Sequence, residues 1–535
     1  MSSNDPGQPE YLGSDAVPDE PTGPRRGRRT GVVVGVAVAT VAAVGAGAYG
    51  VAQMMSGGES PASAVPASAI AYVSVDLDPS AVQKIEAIEI LRKFPSLRSE
   101  LDISSRDDLR RTVFEEIQKS GDCKSLDYAD DVEPWIGNRV ALAAIPATEG
   151  SVDEKVKPLL ALQVSDQDEA RTGLRAIQKC AGDDEKLGIA ASGDYVLLSE
   201  KQADADAMAT SVESAALADD EDFTTWMDRT GDSGIITMYA AKEAASIAVD
   251  LAGQTDRDSG DLEPGSGGSR RGKQVAAALR GFEGAAGVVR FNDGAVEAEF
   301  SSKGLSKGMG GADGEQGPDV ATLPGTTAAV LSVALQDGWL DEGMETFRSM
   351  MGEDFDASLA RAEQQTGLKL PEDVETLLGD GVSISVDSSL DVEGLKRSPD
   401  PRKVPAGIRI TGDAAQITAV IDKLKVAAGP QADVVQVRSK GDVVSVGLDK
   451  AYVDKLLESG DLGDSAAFST VIPEAGRASA VLFVDFDAGN GWAERLAAGQ
   501  DPEAKADVKP LDALGVSSWE DGDQVQHAML RLTTD

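Results

Sequence analysis

Hydrophobic residues form one long uninterrupted run near the start of the chain and many short runs after it. The long run, Gly31–Ala52, reads GVVVGVAVATVAAVGAGAYGVA and has 22 residues without a charge. As a helix it would be about 33 Å long, which is enough to cross the hydrocarbon core of a bilayer. The pattern therefore predicts one transmembrane helix over residues 31–52.

The residues before this run predict its orientation. Clusters of arginine stay on the cytoplasmic side of a membrane, so the N-terminus is expected inside and the C-terminal domains outside. Residues 1–30 are otherwise rich in Pro, Gly, Asp and Glu, which predicts a disordered cytoplasmic tail. The arginines that set the orientation are Arg25, Arg26, Arg28 and Arg29.

The fate of the span has one alternative. Its end, Gly50-Val51-Ala52, has the small residues that a signal peptidase cleaves after. A retained anchor is the preferred interpretation, because the apolar run is longer than in a usual signal peptide and the segment before it is partly acidic.

Small residues recur at every fourth position of the span. Such a ladder lets two helices approach closely in lipid, so it suggests a homodimer. Over half of the span is Gly or Ala, however, so the ladder also follows from composition alone. Its members are Gly31, Gly35, Ala39, Ala43 and Gly47.

Beyond the span, residues 53–64 predict a flexible stalk, and from Val65 the pattern changes to short strands and amphipathic helices. The triplet Asn292-Asp293-Gly294 is the clearest hairpin turn, because Asp-Gly favours the left-handed backbone that a two-residue turn needs. Residues 254–272 are mostly Gly, Ser and charged, and predict a loop. The predicted strands are Ala69–Leu77, Arg139–Ile145, Leu159–Val164 and Gly234–Ala240; the predicted helices are Ser80–Lys93, Arg106–Lys119, Asp168–Lys179 and Lys242–Ala252; the predicted hairpins are Gly188–Ser199 and Val288–Phe300.

The landmarks of this first half then recur in the same order, which predicts a tandem duplication. The fold class expected is α+β, with two copies of a mainly antiparallel sheet-plus-helix unit over residues 65–303 and 323–535, joined by a linker at 304–322. A short strand opener appears four times, at Ile70, Ile235, Ala328 and Ala480. The matching landmarks are Pro66 with Pro324, Asp131-Val132-Glu133 with Asp373-Val374-Glu375, Gly193-Asp194 with Gly441-Asp442, Phe223 with Phe468, Gly231 with Gly476, and Asp293-Gly294 with Asp521-Gly522.

The charge of the chain excludes some partners. The formal net charge is −41, and residues 1–30 carry five acids and four arginines, so nearly all of this charge lies beyond the span. Binding to nucleic acid or to anionic lipid needs clustered Lys and Arg, which such an ectodomain lacks. We expect no nucleic-acid partner, and the simplest interpretation of the acidity is solubility.

Candidate catalytic chemistry is limited by the single histidine, His527. One histidine excludes every site with several histidine ligands, and a Ser–His–Asp triad would have to use it. On the last predicted strand His527 shares a face with Val525 and Met529, which favours a packed histidine over a catalytic one. The chain has no GxSxG nucleophile motif and no phosphate-binding GxxxxGK[ST] motif. We therefore expect no enzymatic activity and no cofactor.

Acidic residues offer a weak candidate for a metal site. The stretch Asp485–Gly491 resembles the start of a calcium loop, but its sixth position is Asn490 rather than Gly and its twelfth is Leu496 rather than Glu. Asp76 and Asp78 occupy the comparable strand end of the first half. Solvated strand ends are the preferred interpretation, so we expect no metal.

Cys123 and Cys180 are the only cysteines, and both lie in the first half. The outer side of a membrane is oxidising, so two thiols there tend to form a disulfide. Both are predicted at helix exits, where the backbone can adjust to the Cα separation of roughly 5.5 Å that a bridge requires. Two unpaired thiols are the alternative, since the sequence does not position their Cα atoms.

The basic tail, the Ala/Gly/Val-rich span and the opener from Val65-Pro66-Ala67 to Asp76 together resemble a family of actinobacterial membrane-anchored proteins of unknown function. The resemblance implies a single-pass envelope protein and no catalytic residues. Non-catalytic binding or scaffolding, with an envelope protein or a lipid as partner, is the preferred function. The alternatives are a carrier of an apolar, lipid-like ligand and a carboxylate-based hydrolase.

Overall fold

The fold is described from a computed structural model of the 535-residue chain. The structure describes residues 60–76, 81–96, 126–147, 155–180, 187–231, 233–258, 275–305, 319–335, 353–497 and 502–535, with residues 110, 111, 114, 118, 340, 344 and 348. No helix within these ranges is long and apolar enough to cross a bilayer. The predicted tail, the predicted span at 31–52 and residues 53–59 of the predicted stalk lie outside them. Residues 60–64 of the predicted stalk are described, and there Pro61–Ala64 form a 3₁₀ turn in which Ala62 and Ala64 are buried.

Short alternating segments form sixteen strands in the described ranges. Those of the first half are β1 (Ala71–Asp76), β2 (Ile136–Pro146), β3 (Val156–Val164), β4 (Gly188–Ser192), β5 (Tyr195–Ser199), β6 (Ile236–Ala241), β7 (Gly284–Asn292) and β8 (Ala295–Lys303). Those of the second half are β9 (Thr327–Ala334), β10 (Gly381–Asp387), β11 (Ala406–Thr411), β12 (Gln436–Lys440), β13 (Val443–Gly447), β14 (Ala480–Asp485), β15 (Leu511–Glu520) and β16 (Val525–Thr534).

Helices connect most of these strands. In the first half they are α1 (Ala81–Lys93), α2 (Tyr128–Asp131), α3 (Gln167–Cys180), α4 (Gln202–Ser214), α5 (Glu221–Asp228) and α6 (Ala244–Asp258). In the second half they are α7 (Glu353–Thr366), α8 (Glu372–Leu378), α9 (Val392–Arg397), α10 (Ala414–Ala428), α11 (Lys450–Lys455), α12 (Ala466–Val471), α13 (Ala488–Ala497) and α14 (Pro502–Val508). Short 3₁₀ turns lie at Pro61–Ala64, Leu217–Asp219, Asp319–Thr322, Pro401–Lys403, Gly429–Val434 and Leu462–Asp464. Most of the predicted helix Arg106–Lys119 lies outside the described residues.

All sixteen strands form one sheet, in the order β12-β13-β11-β10-β9-β14-β15-β16-β8-β7-β6-β1-β2-β3-β5-β4. Neighbouring strands in this order pair antiparallel. The predicted α+β class with a mainly antiparallel sheet is therefore confirmed. The first half has the order β4-β5-β3-β2-β1-β6-β7-β8, and the second half has the matching order β12-β13-β11-β10-β9-β14-β15-β16. The two halves meet where β8 pairs with β16.

The register at this junction is two-fold symmetric. In the first half, cross-strand pairing leads from Val73 through Met238 and Gly287 to Phe300. In the second half, it leads from Leu331 through Leu482 and Val516 to Leu530, so Phe300 is equivalent to Leu530. By this equivalence Glu299 corresponds to Met529, and these two residues face each other across the junction. On one side of this pair Phe300 pairs with Ala528, and on the other side their equivalents Leu530 and Ala298 pair with each other. The halves therefore meet through the same strand in opposite directions.

Equivalent helices close one side of the sheet with aromatic side chains. Asp220 caps α5 by accepting from the Phe223 amide, and Ser465 caps α12 by accepting from the Phe468 amide. Phe223 then packs edge-on against Tyr239 with ring centroids 5.1 Å apart, and Phe468 packs against Phe483 at the same separation. Each half thus has its own core on this side.

The two outer strands of the sheet are protected in different ways. At β4 the Gln202 amide accepts from the Ile189 N–H and donates to the Ile189 carbonyl, so it takes the place of a neighbouring strand. At β12 the edge carries Arg438 and Lys440. Charged or capped edges prevent pairing with other chains.

Candidate functional site

A row of aliphatic side chains crosses the second half on the side of the sheet opposite the aromatic cores. Register places these residues next to one another on β10, β9, β14, β15 and β16. The row, called the aliphatic face below, consists of Ile384, Leu331, Leu482, Val516 and Leu530.

Three members of the aliphatic face are well exposed. Ile384 is 50% accessible, Leu331 48% and Leu482 37%, while Val516 and Leu530 are half-buried. Scattered exposed aliphatic residues are common on surfaces, but neighbours on adjacent strands form a patch, and patches of this kind mark interaction sites. The aliphatic face is thus a candidate binding surface.

The equivalent row in the first half is less exposed. Its members on β2, β1 and β6 are Leu142, Val73 and Met238, which are all half-buried. On β7 the row continues at Gly287, where an added Cβ would lie 2.6 Å from Cδ1 of Phe300. Phe300 and Met238 therefore fill the space above this glycine. Phe300 itself is 42% exposed, so the first-half row exposes one large side chain where the second-half row exposes three.

The helix α1 covers the neighbouring part of the first half's surface. Its residues Ala87 and Ile90 are buried in one cluster with Val75, Ile235 and Phe291 of the sheet region. The same side of the sheet also binds a helix in the second half, where Ile417 and Ile421 of α10 cluster with Ile410 and Val444. The aliphatic face is the part of this side that α10 leaves exposed.

The predicted packed histidine lies close to the junction of the halves. His527 Nδ1 is 3.0 Å from Ser301 Oγ on β8, and His527 Nε2 is 3.2 Å from Asp521 Oδ2. The ring stacks on Trp519 with centroids 5.3 Å apart, and the Arg477 guanidinium lies 4.4 Å from the Trp519 ring centre. A serine, a histidine and an aspartate are thus brought together by the pairing of β8 with β16, which no local pattern of residues indicates.

The serine of this trio is buried, which argues against its use as a nucleophile. Ser301 is 1% exposed, and its Oγ donates to the Arg229 carbonyl at 3.3 Å, so a substrate could not reach the hydroxyl in this arrangement. Burial alone would raise the pKa of Asp521, but the Val525 amide and the His527 ring hold it below its usual value. The arrangement therefore serves packing between β8, β15 and β16.

Buried charges lie beside the same junction. The Arg290 guanidinium on β7 contacts Glu297 and lies 2.5 Å from Glu299 Oε2, and it donates to the Thr230 carbonyl at 2.7 Å. Arg531 of β16 lies 3.4 Å from Glu297. Burial alone would lower the pKa of Arg290, but hydrogen bonds and charge from Glu299 and Glu297 raise it. The two positive and two negative charges of this cluster thus neutralise one another, and Arg531 is the member that the second half contributes.

Carboxylates gather at the end of β14, where the sequence suggested a weak cation site. Oxygen atoms of Asp487, Asp512 and Asp535 lie within 4.8 Å of one another. Burial and the hydrogen bond to Asp535, with repulsion from Asp512 and Asp485, raise the pKa of Asp487 to about 6. The structure thus joins Asp487 to distant residues of β15 and the C-terminus, which the linear calcium-loop comparison missed. In the first half Asp76 pairs with Arg139 at 2.9 Å, as a structural ion pair.

A family model described as protein of unknown function (DUF3352) matches residues 32–389, which is more than half of the chain. The chain belongs to this family. The DUF3352 match begins within the predicted span, includes the whole first half and ends just after β10. It confirms the resemblance to a family of unknown function. No curated protein and no solved structure matches the chain.

Of the remaining predicted site residues of this DUF3352 protein, all but Cys180 lie outside the described residues. Cys123 is among them, while Cys180 is the last residue of α3, so the predicted disulfide stays a prediction. The arginines before the span and the small-residue ladder within it are also outside. Predictions about orientation and dimerisation therefore stay predictions.

Proposed function

We propose that this protein is a single-pass envelope protein whose extracytoplasmic part binds a partner, without catalysis, through the aliphatic face. The observation that carries the proposal is the exposure of Leu331, Ile384 and Leu482 side by side on one sheet. Burying such side chains contributes roughly 1.5–3 kcal/mol each, which supplies affinity without any specific chemistry.

The alternatives from the sequence find less support. A carrier would enclose its apolar ligand, whereas these side chains lie on an open sheet surface. A hydrolase would need paired carboxylates in a protected site, whereas Asp487 and Asp535 are exposed. The open surface favours a macromolecular partner.

The shared strand order of the two halves supports the proposal that the chain arose by tandem duplication. The order recurs together with the equivalent helices α5 and α12 and with the symmetric register at the junction. Under this proposal the two copies have diverged, and only the second uses its aliphatic row for binding.

Membrane orientation gives a first test. Protease added to intact spheroplasts is expected to digest the chain after residue 52 and to spare an epitope inserted before residue 24, because the basic flank stays inside. Digestion is followed by immunoblotting for both regions. Full protection of the large domain in intact spheroplasts, with digestion after lysis, would overturn the proposed topology.

A photo-crosslinking amino acid with a benzophenone side chain tests the binding surface directly. Placed at position 331 or 384 in living cells, it is expected to form a discrete adduct, because any partner of the aliphatic face lies within reach. The matched control is position 426, since Val426 is 83% exposed on α10 outside the row. Protein adducts at 331 and 384 but not 426 support scaffolding, lipid adducts support the carrier, and no adduct contradicts both.

A further inference from the structure

We propose that the partner bound by the aliphatic face is an amphipathic α-helix of another protein, with basic residues in its last turn. This inference rests on the proposed function and specifies the kind of partner. Its basis is the way in which the chain covers the same side of the sheet with its own helix α1.

The helix α1 shows what this side of the sheet accepts. Ala87 and Ile90, three positions apart, are buried against Val75 and Phe291, while Glu89 and Arg92 are exposed. Positions three and four apart share one side of a helix, so α1 packs an apolar side on the sheet, while its solvent side carries these charges and also Ile85, which is 57% exposed. Its last turn carries Arg92 and Lys93.

The surface that α1 occupies continues into the second half. Lys93 Nζ donates to Thr534 Oγ1 at 2.9 Å and to the Thr534 carbonyl at 3.2 Å, both on β16. Just beyond the helix, the Ser96 amide donates to Asp507 Oδ1 of α14 at 3.1 Å. The helix therefore crosses the junction and ends beside the strand on which the aliphatic face begins.

The dimensions of the aliphatic face also suit a helix. Neighbouring strands lie about 4.8 Å apart, and one helical turn rises about 5.4 Å. A helix lying across β10, β9, β14, β15 and β16 would therefore place roughly one turn over each strand. About 13 residues span the row, and α1 has 13 residues.

Charge favours a partner with a basic end. Beyond the face, the strand ends carry Asp485 as the last residue of β14, Asp512 near the start of β15 and Asp535 after β16. The whole chain carries a net charge of −41, so a second copy and an anionic membrane surface are both repelled. Lys or Arg in the last turn of a docked helix would be attracted by these carboxylates and would also complement the helix dipole.

The test uses the chain's own helix as the probe. A fluorescein-labelled peptide of residues 81–96 is titrated with the full-length protein in phosphatidylcholine nanodiscs, with empty nanodiscs as the blank, and anisotropy is measured. We expect saturable binding to the wild type. Leu331→Glu is expected to weaken binding at least tenfold, and the matched variant Val426→Glu should stay within twofold of the wild type. The peptide with Ile90→Glu is expected to bind at least tenfold more weakly.

Each other outcome overturns the inference. If the peptide binds Leu331→Glu as well as it binds the wild type, its site lies elsewhere. If it does not bind the wild type although position 331 gives protein adducts in cells, the partner is not a helix of this type and the proposed function survives. Binding to empty nanodiscs alone identifies a lipid surface, and a wild-type dimer that Leu331→Glu abolishes identifies a second copy.

Replacing Arg92 and Lys93 of the peptide by Gln is expected to weaken binding several-fold at low salt, and no change would remove the basic end from the proposal.

Discussion

Replacement of Arg290 by methionine is expected to lower the free energy of unfolding by about 3–5 kcal/mol, because it leaves Glu297 and Glu299 buried without their shared cation. Glu297 is 2% exposed and Glu299 13% exposed by side chain, so water screens neither charge well. Methionine keeps most of the side-chain volume and removes only the charge and the hydrogen bonds. Denaturant unfolding of the full chain in detergent, followed by far-ultraviolet circular dichroism, measures the loss.

Two further variants isolate the electrostatic cause. The double variant Arg290→Met with Glu299→Met keeps the pair of Arg531 and Glu297, so it should be clearly more stable than the single variant. Arg402→Met removes a surface pair with Asp400 and should leave the unfolding midpoint unchanged, since the Arg402 side chain is 66% exposed. A double variant no more stable than the single one would show that packing, rather than charge, makes Arg290 important.

Truncation of two equivalent aromatic residues, Phe223→Ala and Phe468→Ala, should destabilise the protein by about 3–5 kcal/mol each. Phe468 is 1% exposed and Phe223 8% exposed, so each substitution leaves a cavity in the core of its half. Each also loses an edge-to-face contact, with Phe483 or with Tyr239. The same unfolding measurement, made on both variants in parallel, compares the halves.

The exposed Val426 provides the control for this pair. Val426→Ala is expected to change the free energy of unfolding by less than about 0.5 kcal/mol, because surface substitutions rarely matter more. If Phe468→Ala were severe and Phe223→Ala harmless, the two positions would not be equivalent in the fold. Such a result would contradict the correspondence between α5 and α12.

Local features of the fold could be predicted because their causes are local. The turn at Asn292-Asp293-Gly294 was identified from its residues, and Asp293 and Gly294 both have positive φ, at 52° and 73°. The Asp521-Gly522 pair, which the sequence matches to this turn, has a different backbone conformation. There the positive φ of 61° is at Gln524, because Asp521 accepts hydrogen bonds from the Asp523 and Val525 amides and shapes the turn itself.

Features that depend on distant partners could not be predicted. The openers AYVSVDL and AVLSVAL have the same alternation, yet Val73 is half-buried and Leu331 is exposed. The burial of a strand position depends on its tertiary contacts, which strand patterning does not encode. The contact of Asp487 with Asp512 and Asp535 likewise arises only when β14, β15 and the C-terminus meet. The sequence therefore predicted the α+β class and the mainly antiparallel sheet, but not the candidate site.

The symmetric pairing of β8 with β16 has a consequence for expression of either half alone. Each isolated half would end in a long edge strand with unpaired N–H and C=O groups, and β8 or β16 of a second molecule would offer it a self-complementary partner. In the intact chain the connecting segment keeps the two edges at a high effective concentration, so the intramolecular pairing outcompetes exchange between molecules. Covalent continuity thus acts here as protection against domain swapping.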